Sequence, residues 1–205
     1  MDELMSFVIP TGKDFQLVDP TEYNYWKLRE QRTFVIDYEL EEDYQCIELA
    51  KTIIQLNAEE KETPVESLKP VTLWVYSFGG DLDQAMALCD VIEASRIPII
   101  TVCLGVAMSA GFLIFLAGHR RYALKQNQLL VHSGSASFSG TAEQISSAQE
   151  NYKKTLDKMK GYILEHTSID EKLFKKNQTK DWYINGEDIE KFGIAKIVKS
   201  FDEII

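Results

Sequence analysis

Hydrophobic and polar positions follow strand-like and helix-like spacings in turn from residue 33 to the end of the chain. Short β-branched or apolar runs predict strands, and apolar residues three or four positions apart predict helices. The predicted strands cover residues 33–40, 71–76, 122–124, 128–132 and 194–198. The predicted helices cover residues 41–57, 82–95, 141–166, 168–174 and 187–192. Strands that alternate with helices indicate an α/β fold with substantial parallel pairing.

Several polar residues mark where these helices begin and end. Thr141 and Ser168 are predicted N-caps, and Asn185 with Asp188 resembles a capping pair for the helix at 187–192. Gly193 is predicted to end that helix, because glycine readily adopts the left-handed conformation found after helix C-termini.

The first part of the chain differs from the rest. Residues 1–25 are mixed and turn-rich, and we interpret them as an N-terminal arm or loop segment. No tandem repeat or linker divides the remainder of the chain, so residues 26–205 are predicted to form a single domain. A chain of 205 residues is long enough to bury a sizeable core.

The most apolar stretch, residues 97–118, opens as a β-branched run and becomes helix-forming at about Ser109. A serine at such a joint can point its hydroxyl out of the core, beside helix N–H groups that lack intrahelical partners. A nucleophile beside unused donors is what acyl transfer requires. Two other interpretations stay open here: Ser109 as a simple N-cap, and the uncharged stretch as a membrane helix.

Composition narrows the classes of function. A net charge of −10 argues against nucleic-acid binding, because phosphates would be repelled. The three cysteines form neither a paired spacing nor a metal motif, which suits a reducing compartment. The N-terminus carries acidic residues where a signal peptide carries positive charge, and we therefore expect a cytoplasmic protein that contacts no membrane. No motif calls for a metal or cofactor. Gly79-Gly80 lacks the spacing of a dinucleotide loop.

A serine nucleophile needs a base, and the chain offers three histidines. His119 and His166 lie at predicted helix ends, where an imidazolium interacts favourably with the helix C-terminus. His132 ends an apolar strand, which is a cleft position in an α/β sheet, although a core histidine would fit the same pattern. The orienting acid cannot be chosen from 32 carboxylates by composition. Asp181 is one candidate, because the neighbouring Trp182 could shield it from water, but its spacing alone favours a solvated loop residue.

Five blocks together resemble the Clp protease family, whose proteolytic subunits are the ClpP-like serine peptidases. The blocks are YWKLREQRTFVI, LWVYSFGGDLDQAMALCDVIEAS, GVAMSAGFLIFLAG, RRYALKQNQLLVH and DWYINGEDIEKFGIAKIV. They follow the family's order at nearly its spacing, over residues 25–198. The chain departs from the family at Phe78, which replaces a proline, and at Ser133-Gly134, which replaces glutamine and proline.

The resemblance implies a crotonase-like ββα spiral with a protruding handle helix at residues 141–166. It implies Ser109 as the nucleophile, His132 as the general base and Asp181 as the carboxylate that orients His132. The backbone N–H groups of Gly80 and Ala110 would form the oxyanion hole.

The resemblance also implies an assembly: two stacked seven-membered rings that enclose the active sites and receive unfolded polypeptides from an ATP-dependent unfoldase. The predicted function is therefore a serine endopeptidase in a self-compartmentalised homo-oligomer. Two alternatives remain, namely a catalytically silent ClpP-like subunit of a mixed ring and a crotonase-type acyl-CoA enzyme.

Overall fold

A computed structural model of the chain describes residues 8–11, 14–17, 19–40 and 45–204. Backbone contacts group the chain into two units, Met1–Phe34 and Val35–Ile205. In the first unit, the antiparallel strands β1 (Val8–Thr11) and β2 (Asp14–Leu17) precede helix α1 (Pro20–Glu30), none of which the sequence pattern predicted. The side chain of Asp19 caps α1 by accepting a hydrogen bond from the Thr21 N–H at 2.8 Å. The boundary between an arm at 1–25 and a domain at 26–205 stays a prediction.

A seven-stranded sheet organises the second unit of the described chain. Its strands are β3 (Thr33–Ile36), which begins at the end of the first unit, β4 (Val71–Ser77), β5 (Ile99–Met108), β6 (Arg120–Leu124), β7 (Gln128–Val131), β8 (Trp182–Asn185) and β9 (Lys196–Val198). The strand order is β3-β4-β5-β6-β9, and β7 branches off by pairing with both β5 and β8. Strand β5 is parallel to β4, β6 and β7, whereas β8 runs antiparallel to β7. The predicted α/β fold with parallel pairing is confirmed.

The helices of this unit are α2 (Gln45–Glu59), α3 (Leu82–Ala94), α4 (Ala110–Ala117), α5 (Ala142–His166), α6 (Glu171–Asn177) and α7 (Glu187–Lys191). Each predicted helix is present to within a few residues. The first four residues of the helix predicted at 41–57 lie outside the described residues.

The centre of the core is the joint between β5 and α4. The first five residues of β5 and all eight residues of α4 are buried. Because α4 spans only eight residues, it is far shorter than the roughly 20 residues that a membrane helix needs. Within the described residues, none of the helices combines the length and the apolar character required to span a bilayer.

Helix α5 begins at a capping box, as the pattern of Thr141 predicted. The Thr141 hydroxyl accepts a hydrogen bond from the Gln144 N–H, and the Gln144 side chain accepts one from the Thr141 N–H. Of the 25 residues of α5, all of which the structure describes, only Ile163 is buried. Most of this helix therefore leaves its side chains open to solvent in the single chain.

Two predicted caps are wrong. Helix α6 is capped by Asp170, whose carboxylate accepts from the Leu173 N–H at 2.7 Å, and Ser168 lies upstream of it. Helix α7 has Gly186 at its N-cap, because Asn185 is still held in β8 opposite Gln128. Gly193 follows α7 with a φ of 63°, so the predicted glycine stop is confirmed.

Candidate active site

Ser109 stands at the joint between β5 and α4 in an uncommon backbone conformation. Its φ of 53° lies in the left-handed region, where a residue with a Cβ is strained by about 1–3 kcal/mol. The Ser109 N–H donates to the Leu130 carbonyl, and the Ser109 carbonyl accepts from the Phe112 N–H, both at 3.0 Å. Although Ser109 occupies the N-cap position, its hydroxyl makes no capping bond. The simple N-cap interpretation is therefore wrong, and the hydroxyl is available for another partner.

Sheet register brings His132 and Asp181 to this joint. Parallel pairing sets Met108 of β5 opposite Leu130 of β7, so both strands end at the same edge of the sheet. Antiparallel pairing sets Val131 opposite Trp182, and the next residues outward are His132 and Asp181. The sequence pattern did not predict strand β8. Its pairing with β7 places Asp181, the residue before β8, next to His132.

The three side chains form a connected chain of contacts. The Oγ of Ser109 lies 2.7 Å from Nε2 of His132, and Nδ1 of His132 lies 3.4 Å from Oδ1 of Asp181. With its proton on Nδ1, facing the carboxylate, a neutral imidazole leaves Nε2 to accept the serine proton. The His132 side chain is 30% exposed, so the core-histidine interpretation is wrong.

The surroundings of Asp181 agree with the interpretation as a solvated loop residue and not with shielding by Trp182. Its side chain is 59% exposed, and Trp182 packs edge-on against Phe192 at a ring distance of 5.7 Å. In the single chain, Trp182 therefore leaves Asp181 largely open to water. The 3.4 Å separation from His132 is also longer than an ordinary N–H···O hydrogen bond.

The other two histidines have partners elsewhere. Nδ1 of His119 accepts from the Ile99 N–H at 2.9 Å, a different role from the predicted imidazolium at a helix end. His166 ends α5 as predicted, with Nδ1 2.8 Å from the Tyr162 carbonyl and Nε2 3.0 Å from Glu93. Both residues join neighbouring elements, which leaves His132 as the histidine in contact with Ser109.

Two glycines shape the turn after β4, and each packs closely against a different neighbour. A Cβ on Gly79 would lie 2.6 Å from the Ser109 Cβ and 3.2 Å from the Ala110 nitrogen. A Cβ on Gly80 would collide with the backbone of Leu40, which holds the turn through bonds to Gly79 and Asp81. A side chain at position 80 would therefore meet Leu40. Gly79 is the glycine that approaches the serine.

The proposed oxyanion donors flank this contact. Ala110 is the buried first residue of α4, and Gly80 is exposed in the turn. Among the described residues, neither backbone N–H donates a hydrogen bond to another protein group. Both N–H groups therefore lack a protein acceptor within the described part of the chain.

Ser77 holds the glycine turn through hydrogen bonds of its buried hydroxyl, a role that the sequence pattern did not predict. It is 1% exposed, and its hydroxyl donates to the Tyr38 carbonyl at 3.1 Å while accepting from the Gly79 N–H at 3.2 Å. The signal was present, because a serine two residues before a glycine at a strand end commonly bonds to the turn backbone. Among the described residues, no group of three or more His, Cys, Asp or Glu side chains could hold a metal ion.

Comparison with known proteins identifies the family of this chain. The family model for Clp protease matches residues 21–201. Proteolytic subunit 2 of the ATP-dependent Clp protease of Treponema denticola is 29% identical over 143 residues, covering 68% of this chain and 72% of that protein. The corresponding subunit of Deinococcus radiodurans is 24% identical over 150 residues, covering 72% of each. The chain belongs to the Clp protease family.

Proposed function

We propose that this chain is a serine endopeptidase in which Ser109 attacks the peptide carbonyl, His132 is the general base and Asp181 orients His132. Family membership makes it a protease of the ClpP kind. The observation that carries the assignment of residues is the 2.7 Å contact between Ser109 Oγ and His132 Nε2. A serine hydroxyl becomes nucleophilic only when a base within hydrogen-bond reach accepts its proton.

The chemistry runs in two stages. His132 takes the Ser109 proton as the oxygen bonds to the carbonyl carbon, and the Gly80 and Ala110 N–H groups stabilise the oxyanion. His132 then protonates the leaving amine, and the C–N bond breaks to leave an acyl-serine. In the second stage His132 deprotonates a water that attacks the acyl carbonyl carbon, and the ester C–O bond breaks as His132 returns the proton to the Ser109 oxygen. Loss of one oxyanion donor typically costs about 3 kcal/mol, a rate loss on the order of 100-fold or more.

Assembly is the second part of the proposal. The two relatives are named as proteolytic subunits of an ATP-dependent protease, which supports a homo-oligomer of stacked rings with an ATP-dependent unfoldase as partner. The exposed length of α5 supports a role for that helix as the handle between rings. Enclosure restricts an unselective nucleophile to unfolded polypeptides and peptides, so the enzyme is compatible with the cytoplasm.

Covalent labelling tests the assignment directly. The wild-type protein should react with a fluorophosphonate probe and cleave fluorogenic peptides, and Ser109→Ala should do neither. Ser147→Ala, at an exposed position on α5, is the matched control and should behave like the wild type. Absence of labelling in every assembly state would contradict the proposal and favour the silent subunit, whereas turnover of a CoA thioester without peptide cleavage would favour the acyl-CoA enzyme.

A further inference from the structure

Ser133, the residue after His132, joins the two segments that carry the base and the acid. Its hydroxyl donates to the Gln178 carbonyl at 2.7 Å, three residues before Asp181. Its own carbonyl accepts from the Tyr152 hydroxyl on α5 at 2.9 Å. Ser133 is half-buried, which limits competition from water for these bonds.

The position of this bond matters because the β7–β8 ladder stops just short of the active-site pair. The last paired residues are Val131 and Trp182, so His132 and Asp181 lie outside the ladder. Beyond these two residues, the Ser133–Gln178 hydrogen bond joins the two segments again. His132 and Asp181 thus sit between the last ladder pair and a single side-chain hydrogen bond.

The direct contact between His132 and Asp181 is too weak to fix the position of Asp181 by itself. The two polar atoms are 3.4 Å apart, and the Asp181 side chain is 59% exposed. The segment leading to Asp181 leaves α6 through a turn in which Gln178 caps the helix and bonds to Phe174 at 2.8 Å. Fixing the Gln178 carbonyl therefore fixes the start of the turn that ends at Asp181.

We propose that Ser133 is a positioning residue that keeps Asp181 beside Nδ1 of His132. This role rests on the proposed function, because it gives Ser133 its effect on catalysis through Asp181. Ser133→Ala removes the bond to Gln178, and the Asp181 segment moves relative to His132. A displacement of about 1 Å at a catalytic group can cost on the order of 100-fold in rate.

A double-mutant cycle on peptide cleavage tests the proposal. Ser133→Ala should lower kcat roughly tenfold or more with little change in KM. Ser133→Thr keeps the hydroxyl and should restore kcat, while Ser135→Ala, an exposed serine of the same loop, is the matched control. In an Asp181→Ala background, Ser133→Ala should cost less than twofold. An unchanged kcat in Ser133→Ala, or an equal loss in both backgrounds, overturns the proposal.

A second readout separates this proposal from the proposed function. Nitrogen-15 NMR of histidine-labelled protein at alkaline pH should show His132 mainly with its proton on Nδ1, and this fraction should fall in Ser133→Ala. If the wild type has no peptidase activity, the proposed function fails, and the tautomer change alone decides the role of Ser133. An unchanged tautomer overturns it. Ser133→Cys, which keeps the size with a weaker donor, takes the place of Ser133→Ala if that variant unfolds.

Discussion

Ser109 and Gly79 show how much of the site depends on the backbone of single residues. Ser109 has a φ of 53° and Gly79 has a φ of 107°, and the two residues meet with no room for a side chain on the glycine. Glycine adopts such a φ without steric cost, whereas a residue with a Cβ does not. The close approach sets the turn that carries Gly80 beside the helix start that carries Ala110.

Gly79→Ala should therefore lower kcat by on the order of 100-fold, because the new methyl group displaces Ser109 from His132. The measurement is steady-state peptide cleavage together with the rate of fluorophosphonate labelling. Gly161→Ala is the matched control, since a Cβ there meets nothing within 4 Å. Wild-type kinetics in Gly79→Ala would contradict the proposed contact.

Asp181→Asn should lower kcat by on the order of 10²- to 10⁴-fold, because an amide stabilises neither the Nδ1–H tautomer nor the imidazolium. The lower bound reflects the 3.4 Å contact and the exposed carboxylate, which give the pair a weaker coupling than a buried one. Peptide-cleavage kinetics measure the loss. Asp157→Asn, an exposed position on α5, provides the control.

At the scale of elements, strand register brings the candidate site residues together, which no single sequence motif does. The β5–β7 pairing aligns Ser109 with the end of β7, and the β7–β8 pairing aligns His132 with Asp181. A shift of one residue in β8 would turn its side chains to the other face of the sheet. Helix α5, by contrast, is specified locally by its cap and its spacing.

The cap of α5 gives a prediction about stability. Thr141→Ala removes the acceptor for the Gln144 N–H and should lower the free energy of unfolding by about 1 kcal/mol. Chemical denaturation at a fixed protein concentration measures this change. Gly161→Ala, in the same helix, should instead raise it by about 0.5–1 kcal/mol, because alanine is the better helix former.

At the scale of the whole molecule, burial determines how reactive the cysteine thiols are. Cys46, Cys89 and Cys103 are all buried, and burial raises the pKa of Cys89 and of Cys103 from 9.0 to about 12. The folded chain thus favours the neutral thiols. This contribution to stability is fully present below pH 9, and it is lost as the pH rises from 9 towards 12.

Native protein should therefore react with DTNB at pH 8 far more slowly than protein in denaturant, where all three thiols are exposed and react with the reagent. Stability measured by denaturation should also begin to fall above about pH 9. Rapid labelling of a thiol in the folded protein at pH 8 would contradict the burial of these side chains.

The sequence by itself determined most of the elements and made Ser109 and His132 candidates for the site, whereas Asp181 was singled out only by the resemblance to the family. Periodicity located the β5–α4 joint and α5, because each is long, strongly patterned and locally specified. It missed β1, β2, α1 and β8, and it misplaced the caps of α6 and α7.

Tertiary structure decided the rest for a physical reason: partners distant along the chain determine these features. Asn185 is part of β8 because Gln128 pairs with it, and Gly79 requires its bare Cα because Ser109 lies against it. Asp181 is distinguished from the other carboxylates by the register between β7 and β8. No local pattern carries that information, because register depends on which strands meet.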